Sequence, residues 1–308
     1  MGVSIRNDLV VLVEQAVETI KGCRGVSVHV VEMNSEQRAA FTSMVKQAQI
    51  KKPGGQIGKV IAVMSGKGGV GKSSVAGLLA SALRRRGYQV GLLDADITGP
   101  SIPKMFGATQ RPTNSSNGMK PVLSKLGIGL MSINLLLPDK DQPVIWRGPL
   151  ISRAIEQFWS DIAWGNLDFL IVDLPPGTAD AALTVMQSLK LDGIVLVTSP
   201  QDLAGMVVRK AANMAKTIGI PLIGLVENMS HVICPECGTR IDIFGTSKAE
   251  NTAHIINAPI LGHLPIDPQL AILCDRGEIE NYYSDIFEEI AMQVYRIVCG
   301  EALEGLIL

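Results

Sequence analysis

Short apolar runs alternate with amphipathic segments along most of the chain. The runs are rich in Val, Ile and Leu and are candidates for buried strands: residues 59–64, 90–93, 128–133, 169–172, 194–197, 222–226 and 260–264. Between most of them, apolar positions recur at helical spacing. Repeated strand and helix units predict an α/β fold with a doubly wound, mostly parallel sheet. In such a sheet, ligands bind at the carboxyl ends of the strands.

The first part of the chain has a different pattern. Apolar positions recur at helical spacing over residues 7–21 and alternate as in a strand over residues 26–31. Lys, Pro and Gly follow and are typical of a linker. We therefore predict a small helix-strand appendage at residues 1–50, a linker at 51–58 and a main domain at 59–308.

Two later segments carry predictions of their own. The stretch 107–120 is too polar for the core and is predicted to be a surface loop. Near the end of the chain, residues 284–299 are predicted to form a helix that packs on the core. Its apolar stripe consists of Ile286, Ile290, Val294 and Ile297.

Composition narrows the class of protein. The chain has 308 residues, of which 47% are hydrophobic and only 4% aromatic, so its core must be mainly aliphatic. Lys and Arg total 28 against 29 Asp and Glu, and a net charge of -1 argues against general attraction to nucleic acid or anionic lipid. No uncharged stretch reaches the length of a membrane span, and the first residues lack signal or transit features. We therefore expect a cytoplasmic protein.

A glycine-rich stretch directly follows the first predicted strand. Residues 66–73 match the GxxxxGK(S/T) pattern and precede a helix predicted over residues 75–85. In such a loop the backbone N–H groups surround phosphate oxygens, Lys72 reaches the β and γ phosphates, and the Ser73 hydroxyl is a ligand for Mg²⁺. The pattern predicts ATP and Mg²⁺ as ligands. The predicted contacts are Gly66, Lys67, Gly68, Gly69, Val70, Gly71, Lys72, Ser73 and Ser74.

Acidic residues end two of the predicted strands, at the edge where the phosphate loop should lie. Asp173 is positioned to hold Mg²⁺ together with Ser73. Asp94 and Asp96 are both candidates for orienting the attacking water, and we favour Asp96. Caps and turns are the alternative roles for all three carboxylates.

The cysteines do not form a disulfide framework, because they are five and only Cys234 and Cys237 are close in sequence. This Cys-x-x-Cys pair supplies half of the thiolates that a tetrahedral zinc or a cubane cluster requires. Spacing alone leaves structural zinc, an iron-sulfur site and a redox dithiol open. Other residues are predicted to be structural: Cys23, Cys274 and Cys299 as small apolar residues and His231 as a loop histidine.

Several motifs together resemble a known family. The loop at residues 66–73, with Lys67 as its signature lysine, resembles the deviant Walker A ATPases of the MinD/ParA class. Further motifs narrow the resemblance to the Mrp family of iron-sulfur cluster carrier ATPases, over about residues 58–300. They lie at residues 94–101, 146–149, 173–178, 226–230 and 234–238.

The resemblance implies a homodimer in which Lys67 reaches the nucleotide of the partner. Two cysteine pairs would then meet at the two-fold axis and supply four thiolates, enough for one bridging 4Fe-4S cluster. The family transfers its cluster to apo-proteins and hydrolyses ATP slowly. By the same resemblance, Asn228, Pro265 and Asp267 would lie by the adenine.

Other functions fit parts of the sequence. A MinD/ParA-like ATPase would act on membrane or DNA, but Asp285, Glu288 and Glu289 give the last helix the wrong charge for a membrane surface. The basic residues 84–86 end a helix, where the helix dipole alone favours them. We therefore expect neither nucleic acid nor membrane as a partner. A zinc-stabilised P-loop ATPase is a further alternative, and a small-molecule kinase ranks lower because residues 94–101 show no acceptor role.

Overall fold

The structure of the protein is a computed structural model. It describes residues 55–97, 99–116, 118–137, 148–177 and 180–300, together with the isolated positions 17 and 28. The chain divides into two units, Met1–Gln49 and Ile50–Leu308, and every element named below belongs to the second. Apart from those two positions, the predicted appendage and the linker up to residue 54 lie outside the described residues. The division into domains stays a prediction.

Strands and helices alternate along most of the described chain, as the apolar pattern predicts. The strands are β1 (Gly55–Ser65), β2 (Val90–Asp94), β3 (Thr113–Ser115), β4 (Gly118–Lys120), β5 (Val122–Leu123), β6 (Gly129–Ser132), β7 (Gly165–Asp173), β8 (Gly193–Thr198), β9 (Leu222–Glu227), β10 (Val232–Ile233), β11 (Arg240–Ile241) and β12 (Ile260–His263). The helices are α1 (Lys72–Arg85), α2 (Ile102–Met105), α3 (Gly148–Ser160), α4 (Asp180–Ser188), α5 (Asp202–Ile218), α6 (Ala249–Ile256), α7 (Pro268–Arg276) and α8 (Asp285–Cys299).

Eight strands form one sheet, in the order β12-β9-β8-β1-β7-β2-β6-β5. All neighbours in it run parallel except β5 and β6. The doubly wound, mostly parallel prediction is therefore confirmed. In this register Asp173 of β7 stands beside Val63 of β1 and Asp94 of β2, so the carboxyl ends of three central strands meet at one edge.

The core lies on both faces of the sheet. Ile61 and Val63 of β1 pack in a cluster with α1 and α8, whereas Ala62 and Met64 pack in a second cluster with α3, α4 and α5. Successive strand residues point to opposite faces, so one strand serves both layers. Within the part of the chain that the structure describes, none of the helices combines the length and apolarity that crossing a bilayer requires.

The last helix packs on the core, as predicted. Ile290 and Val294 are buried, but Ile286 is 43% exposed, so its assignment to the apolar stripe was wrong. The inward position is taken by Phe287, which is buried in the same cluster as α1. Basic residues at the end of α1 tie the two helices together. Arg85 and Arg86 pair with Glu288 at 2.8 and 3.3 Å.

Two segments differ from the sequence prediction: the start of β1 and the predicted loop at 107–120. Strand β1 begins at Gly55 rather than Lys59, so residues 55–58 are strand and not linker. They pair with the start of β7, Gly55 beside Gly165 and Ile57 beside Leu167, and this pairing extends beyond the buried apolar run that marks the strand. In the predicted loop at 107–120, β3 and β4 form an antiparallel hairpin, because backbone pairing can order a polar segment without a core.

Two glycines join the ends of α2 and α7 by direct backbone packing. Gly107 and Gly277 have left-handed φ values of 62° and 73°. A Cβ on Gly277 would lie 2.5 Å from the Cα of Gly107, closer than any carbon pair tolerates. This contact holds α2, which follows the Asp94–Asp96 region, against α7.

We expect Gly277→Ala to lower the free energy of unfolding by about 3 kcal/mol, because the left-handed φ costs about 1 kcal/mol and the overpacked contact adds roughly 2. Gly300→Ala is the matched control, since Gly300 has a φ of 75° but no atom within 4 Å of the added Cβ. It should cost only about 1 kcal/mol. Urea unfolding of the two variants measures the difference. Equal losses would contradict the role of the backbone contact.

Candidate functional site

The phosphate loop lies between the end of β1 and the start of α1, as the motif predicts. Gly71 caps α1 with a φ of 78°, and Gly69 has a φ of 80°. A Cβ on Gly68 or Gly69 would meet no atom within 4 Å, so this part of the loop faces open space. Free N–H groups at the start of α1 and the helix dipole favour an anion there.

A cleft of about 280 Å³ opens over this loop. Gly68, Lys72, Ser73, Ser74 and Asp96 are among the residues that line it. Other predicted contacts are placed differently. The Val70 side chain is buried in the core and Gly66 packs against Val207 of α5, so only their backbone atoms could face a nucleotide.

A buried ion pair lies at the base of the cleft. Lys72 Nζ is 2.5 Å from Asp173 Oδ1 and 3.2 Å from Ser73 Oγ. Lys72 is 6% exposed and Asp173 is fully buried. Burial raises the pKa of Asp173 above its usual value, while the charge of Lys72 and its hydrogen bond oppose that rise. Lys72 Nζ lies at the cleft and is held there by this carboxylate.

The same carboxylate fits the predicted Mg²⁺ site. Asp173 Oδ2 is buried without a hydrogen-bond partner, and the Ser73 hydroxyl is nearby, since both groups contact the Lys72 ammonium. Carboxylate and hydroxyl oxygens are ligands that Mg²⁺ prefers. A buried polar atom without a partner is costly unless a ligand or water satisfies it. Asp173 and Ser73 are therefore the residues that could hold the cation.

The two remaining aspartates have different surroundings. Asp94 is fully buried and accepts hydrogen bonds from the Ile102 N–H at 3.3 Å and the Ser132 hydroxyl at 3.2 Å. Burial, followed by the charge of Asp173, raises the pKa of Asp94 well above its usual value. Asp96 instead lines the cleft and accepts from the Gly99 N–H at 3.2 Å. Asp94 is thus placed to organise the loop, and Asp96 is the carboxylate that faces the cleft.

The signature lysine points away from the cleft. Lys67 Nζ donates a hydrogen bond to the side-chain oxygen of Gln201, the residue before α5. Ser65 Oγ donates to the Lys67 carbonyl at 2.9 Å and fixes the backbone at the same place. Lys67 is not among the residues that line the cleft of its own chain. Its predicted role in a partner's site stays a prediction.

The residues predicted to lie by the adenine have structural contacts. Asn228 Nδ2 donates to the Val70 carbonyl at 2.9 Å, so it touches the back of the phosphate loop. Asp267 caps α7 by accepting from the Gln269 N–H, and its other oxygen accepts from the Tyr282 hydroxyl at 2.9 Å. The contacts described for this region do not indicate a role for Pro265. Contact of these three residues with adenine stays a prediction.

The cysteine pair lies in the turn between β10 and β11. The Cys234 N–H donates to the Thr239 carbonyl and the Gly238 N–H donates to the Cys234 carbonyl, both at 2.9 Å. The Thr239 hydroxyl lies 3.2 Å from the sulfur of the exposed Cys237. This hydrogen bond lowers the pKa of the Cys237 thiol. It therefore favours the thiolate, the form that binds metals.

The described part of the chain brings no further metal-binding side chains together with the cysteine pair. Among the residues that the structure describes, no group of three or more His, Cys, Asp and Glu could hold a metal ion. His231 is buried, with Nδ1 2.6 Å from the Ser230 hydroxyl, and burial lowers its pKa. It thus has a structural role, as predicted. Among the described residues, this turn therefore offers two thiolates from Cys234 and Cys237.

The other cysteines agree only in part with their prediction. Cys274 is half-buried against the core, and burial raises the pKa of its thiol. Cys299, predicted to be a small apolar residue, is exposed at the end of α8 and so is not part of the core. The helix ends there, which leaves the residue outside the packed interface. Cys23 lies outside the described residues.

The sequence analysis missed one buried carboxylate next to the site. Glu227 ends β9, is 1% exposed, and accepts from the Ser247 hydroxyl at 2.8 Å. His263 Nδ1 lies 2.8 Å from its second oxygen, and this hydrogen bond raises the pKa of His263. The sequence does contain a signal for this residue: Glu227 is a charged residue at the end of an apolar run and directly precedes Asn228.

Replacing Lys72 by Met is expected to destabilise the nucleotide-free protein by about 3–5 kcal/mol at neutral pH, because Asp173 is left as an unpaired buried charge. Removing the positive charge of Lys72 raises the pKa of Asp173 further, because that charge opposes the effect of burial. The folded variant then binds a proton before the unfolded chain does, so its deficit should shrink as pH falls.

The double variant Lys72→Met/Asp173→Asn carries no buried charge at this position and should recover much of the loss at neutral pH. Urea unfolding at several pH values tests both expectations. A deficit that is independent of pH, or a double variant as unstable as Lys72→Met, would contradict the buried pair.

Comparison with known proteins places this geometry in a family. Residues 56–298 match the ParA family model described as NUBPL iron-transfer P-loop NTPase. A protein of Methanococcus maripaludis called iron-sulfur cluster carrier protein is 48% identical over 75% of this chain and 81% of its own length. Its namesake in Methanocaldococcus jannaschii is 47% identical over 83% of this chain and 90% of its own.

Solved structures agree with the fold. A nucleotide-binding protein from Archaeoglobus fulgidus, in complex with ADP and with cobalt found in it, is 46% identical, with a TM-score of 0.68 over 75% of this chain and 91% of that one. The cell division ATPase MinD of Pyrococcus furiosus is 20% identical, with a TM-score of 0.53 over 78% of this chain and 99% of that one, and shows the fold alone. Together with the family match over residues 56–298, these findings show that the chain belongs to the ParA/NUBPL family of iron-transfer P-loop NTPases, whose members bind nucleotide.

Proposed function

We propose that this protein is an ATP-hydrolysing carrier that holds a 4Fe-4S cluster between two copies of the chain and transfers it to apo-proteins. The observation that carries the proposal is the exposed turn with Cys234 and Cys237, which provides two thiolates and gathers no third ligand from the residues that the structure describes. A cubane cluster takes four thiolates. A symmetric dimer of this chain supplies that number from two identical turns.

The surroundings of the turn support association with a second molecule. Four large apolar side chains close to the cysteines in sequence are exposed: Ile233, Ile241, Ile243 and Phe244. Exposed apolar groups that accumulate in one region are typical of contact surfaces. A cluster held at such a contact stays near the surface, from which a recipient protein can take it.

The names of the relatives support the choice of cargo. The proteins of Methanococcus maripaludis and Methanocaldococcus jannaschii are both called iron-sulfur cluster carrier protein. Thiolate ligands suit zinc as well as iron-sulfur clusters, so the ligand type alone does not choose between them. We place the carrier in the cytoplasm, as the sequence predicts.

The contacts at the cleft support ATP hydrolysis. Lys72 would exchange Asp173 for the β and γ phosphates, which the N–H groups of the loop also bind. Ser73 and Asp173 would hold Mg²⁺, which neutralises charge on the phosphates. Asp96 would orient the attacking water from the wall of the cleft. Lys67 would leave Gln201 and stabilise charge at the partner's nucleotide, and hydrolysis would be slow.

Two features of the chain favour the carrier over a positioning ATPase that acts on membrane or DNA: its basic cluster and its last helix. Arg84 donates to the carbonyls of Leu126 and Tyr88, and Arg85 and Arg86 pair with Glu288. These basic side chains are therefore engaged within the chain. The last helix packs its apolar face on the core rather than presenting it to a lipid surface.

Anaerobic reconstitution with iron and sulfide is expected to give about one 4Fe-4S cluster per two chains, since each chain supplies two thiolates. Cys234→Ser and Cys237→Ser should abolish it, whereas Cys274→Ser, the control at a half-buried cysteine, should not. Iron analysis, absorption spectroscopy and light scattering measure stoichiometry and mass. A full cluster in the Cys234→Ser/Cys237→Ser variant, or zinc without iron after anaerobic purification, would contradict the carrier function.

Replacing Lys67 by Ala is expected to reduce ATP turnover by about 100-fold or more while ATP affinity changes little, because a charge supplied in trans acts mainly on the transition state. Lys190→Ala removes an equal charge from an exposed position between α4 and β8 and is the control. Turnover and equilibrium ATP binding are measured on the same samples. Unchanged turnover in Lys67→Ala would refute the role in trans.

A further inference from the structure

The segment that carries the cysteines leaves the sheet and returns to it at one strand end. We call residues 232–246 the cysteine segment. It follows the end of β9 by a few residues, and Ser247, the first residue after it, donates its hydroxyl to Glu227 Oε1 at 2.8 Å. The N–H of Ala249 in turn donates to the Ser247 hydroxyl oxygen at 3.0 Å. The C-terminal end of the cysteine segment is thus attached, through Ser247, to the end of β9, the strand that precedes the segment.

The attachment point is rigid. Glu227 lies between β8 and β12 in the sheet, beside Thr198 and His263. Its carboxylate is almost fully buried, and its second oxygen lies 2.8 Å from His263 Nδ1. Its backbone carbonyl accepts from the Leu264 N–H at 2.8 Å. A buried carboxylate with both oxygens engaged has little freedom to move independently of the sheet.

The next residue along the chain touches the phosphate loop. Asn228 donates to the Val70 carbonyl at 2.9 Å, and its side-chain nitrogen lies where a Cβ on Gly71 would be. Met229 follows with a left-handed φ of 58°, an uncommon conformation for a residue with a side chain. This turn directs the chain from the loop toward the cysteine segment, and such backbone strain tends to persist at functional positions.

We propose that Glu227 and Ser247 are positioning residues that couple the nucleotide in the phosphate loop to the conformation of the cysteine segment. The inference rests on the proposed function, because it assigns to that segment the cluster-binding thiolates. Nucleotide bound at the loop acts on Asn228 through Val70 and Gly71. Because the Glu227 carboxylate moves only together with the end of β9, a displacement of Asn228 changes the position of Glu227 relative to Ser247. The two arrangements are the closed and the open Glu227–Ser247 hydrogen bond, and bound nucleotide favours the closed one.

Hydrogen exchange on the full-length, metal-free, reduced protein tests the coupling, with and without Mg-ADP as the probe. In the parent protein, Mg-ADP should slow exchange both in peptides of the phosphate loop and in peptides of the cysteine segment. In Ser247→Ala the loop should still respond and the cysteine segment should not. Without nucleotide, exchange in the segment should be about tenfold faster than in the parent, the effect of losing one hydrogen bond to a carboxylate.

Two matched variants separate coupling from general loosening. Ser247→Thr keeps a hydroxyl and should restore the response of the segment. Thr246→Ala changes the exposed neighbouring residue and should leave the response unchanged. Affinity for ADP should be the same in all four proteins within about twofold, because none of the substitutions touches the phosphate loop.

Two results would overturn the coupling. One is a cysteine segment that responds to Mg-ADP in Ser247→Ala as it does in the parent protein. The other is a parent protein in which the loop responds and the segment does not. Cluster content after reconstitution keeps this test distinct from that of the carrier function. A protein that binds its cluster but shows either result retains the carrier function without this coupling, whereas loss of the cluster in the parent contradicts the carrier function itself.

Discussion

The ion pair between Lys72 and Asp173 is the interaction on which the nucleotide cleft depends. Two buried charges are tolerated only when they compensate each other closely, and here the nitrogen and oxygen lie 2.5 Å apart. The pair holds the start of α1 against the end of β7 and so maintains the edge at which β1, β7 and β2 meet. A phosphate that attracts Lys72 leaves Asp173 in need of another cation. The residue pair at the base of the cleft is therefore the one whose two members a nucleotide and Mg²⁺ would each engage.

A second junction lies at the end of β9. Glu227 and Asn228 are consecutive, yet one contacts Ser247 beyond the cysteine segment and the other contacts the backbone of the phosphate loop. Their position follows from the strand order, because β9 is covered on both sides by β8 and β12. The phosphate loop and the cysteine segment are thus both contacted by the same short stretch of chain. The cysteine turn itself is exposed, and among the described residues it supplies two thiolates.

Local patterns predicted a large part of this architecture. The buried strands are continuous apolar runs, and a phosphate loop needs its glycines, lysine and serine at consecutive positions, so both are visible in short windows. The polar start of β1, the β3 and β4 hairpin and the exposure of Ile286 were not predictable in this way. The start of β1 is ordered by pairing with the distant strand β7, and the hairpin by backbone pairing between β3 and β4. The exposure of Ile286 depends on how α8 packs against its neighbours.

The sequence by itself determined the class of fold, the phosphate-binding loop, and the single close pair of cysteines, because each depends on residue type and spacing. Only the tertiary structure decided which aspartate faces the cleft, since Asp94 and Asp96 differ in their contacts with Ile102, Ser132 and Gly99 rather than in sequence context. It also decided that Lys72 forms an ion pair with Asp173 and that Glu227 forms hydrogen bonds with Ser247 and His263. These groups are distant along the chain, and the strand order that brings them together is not encoded in any local pattern.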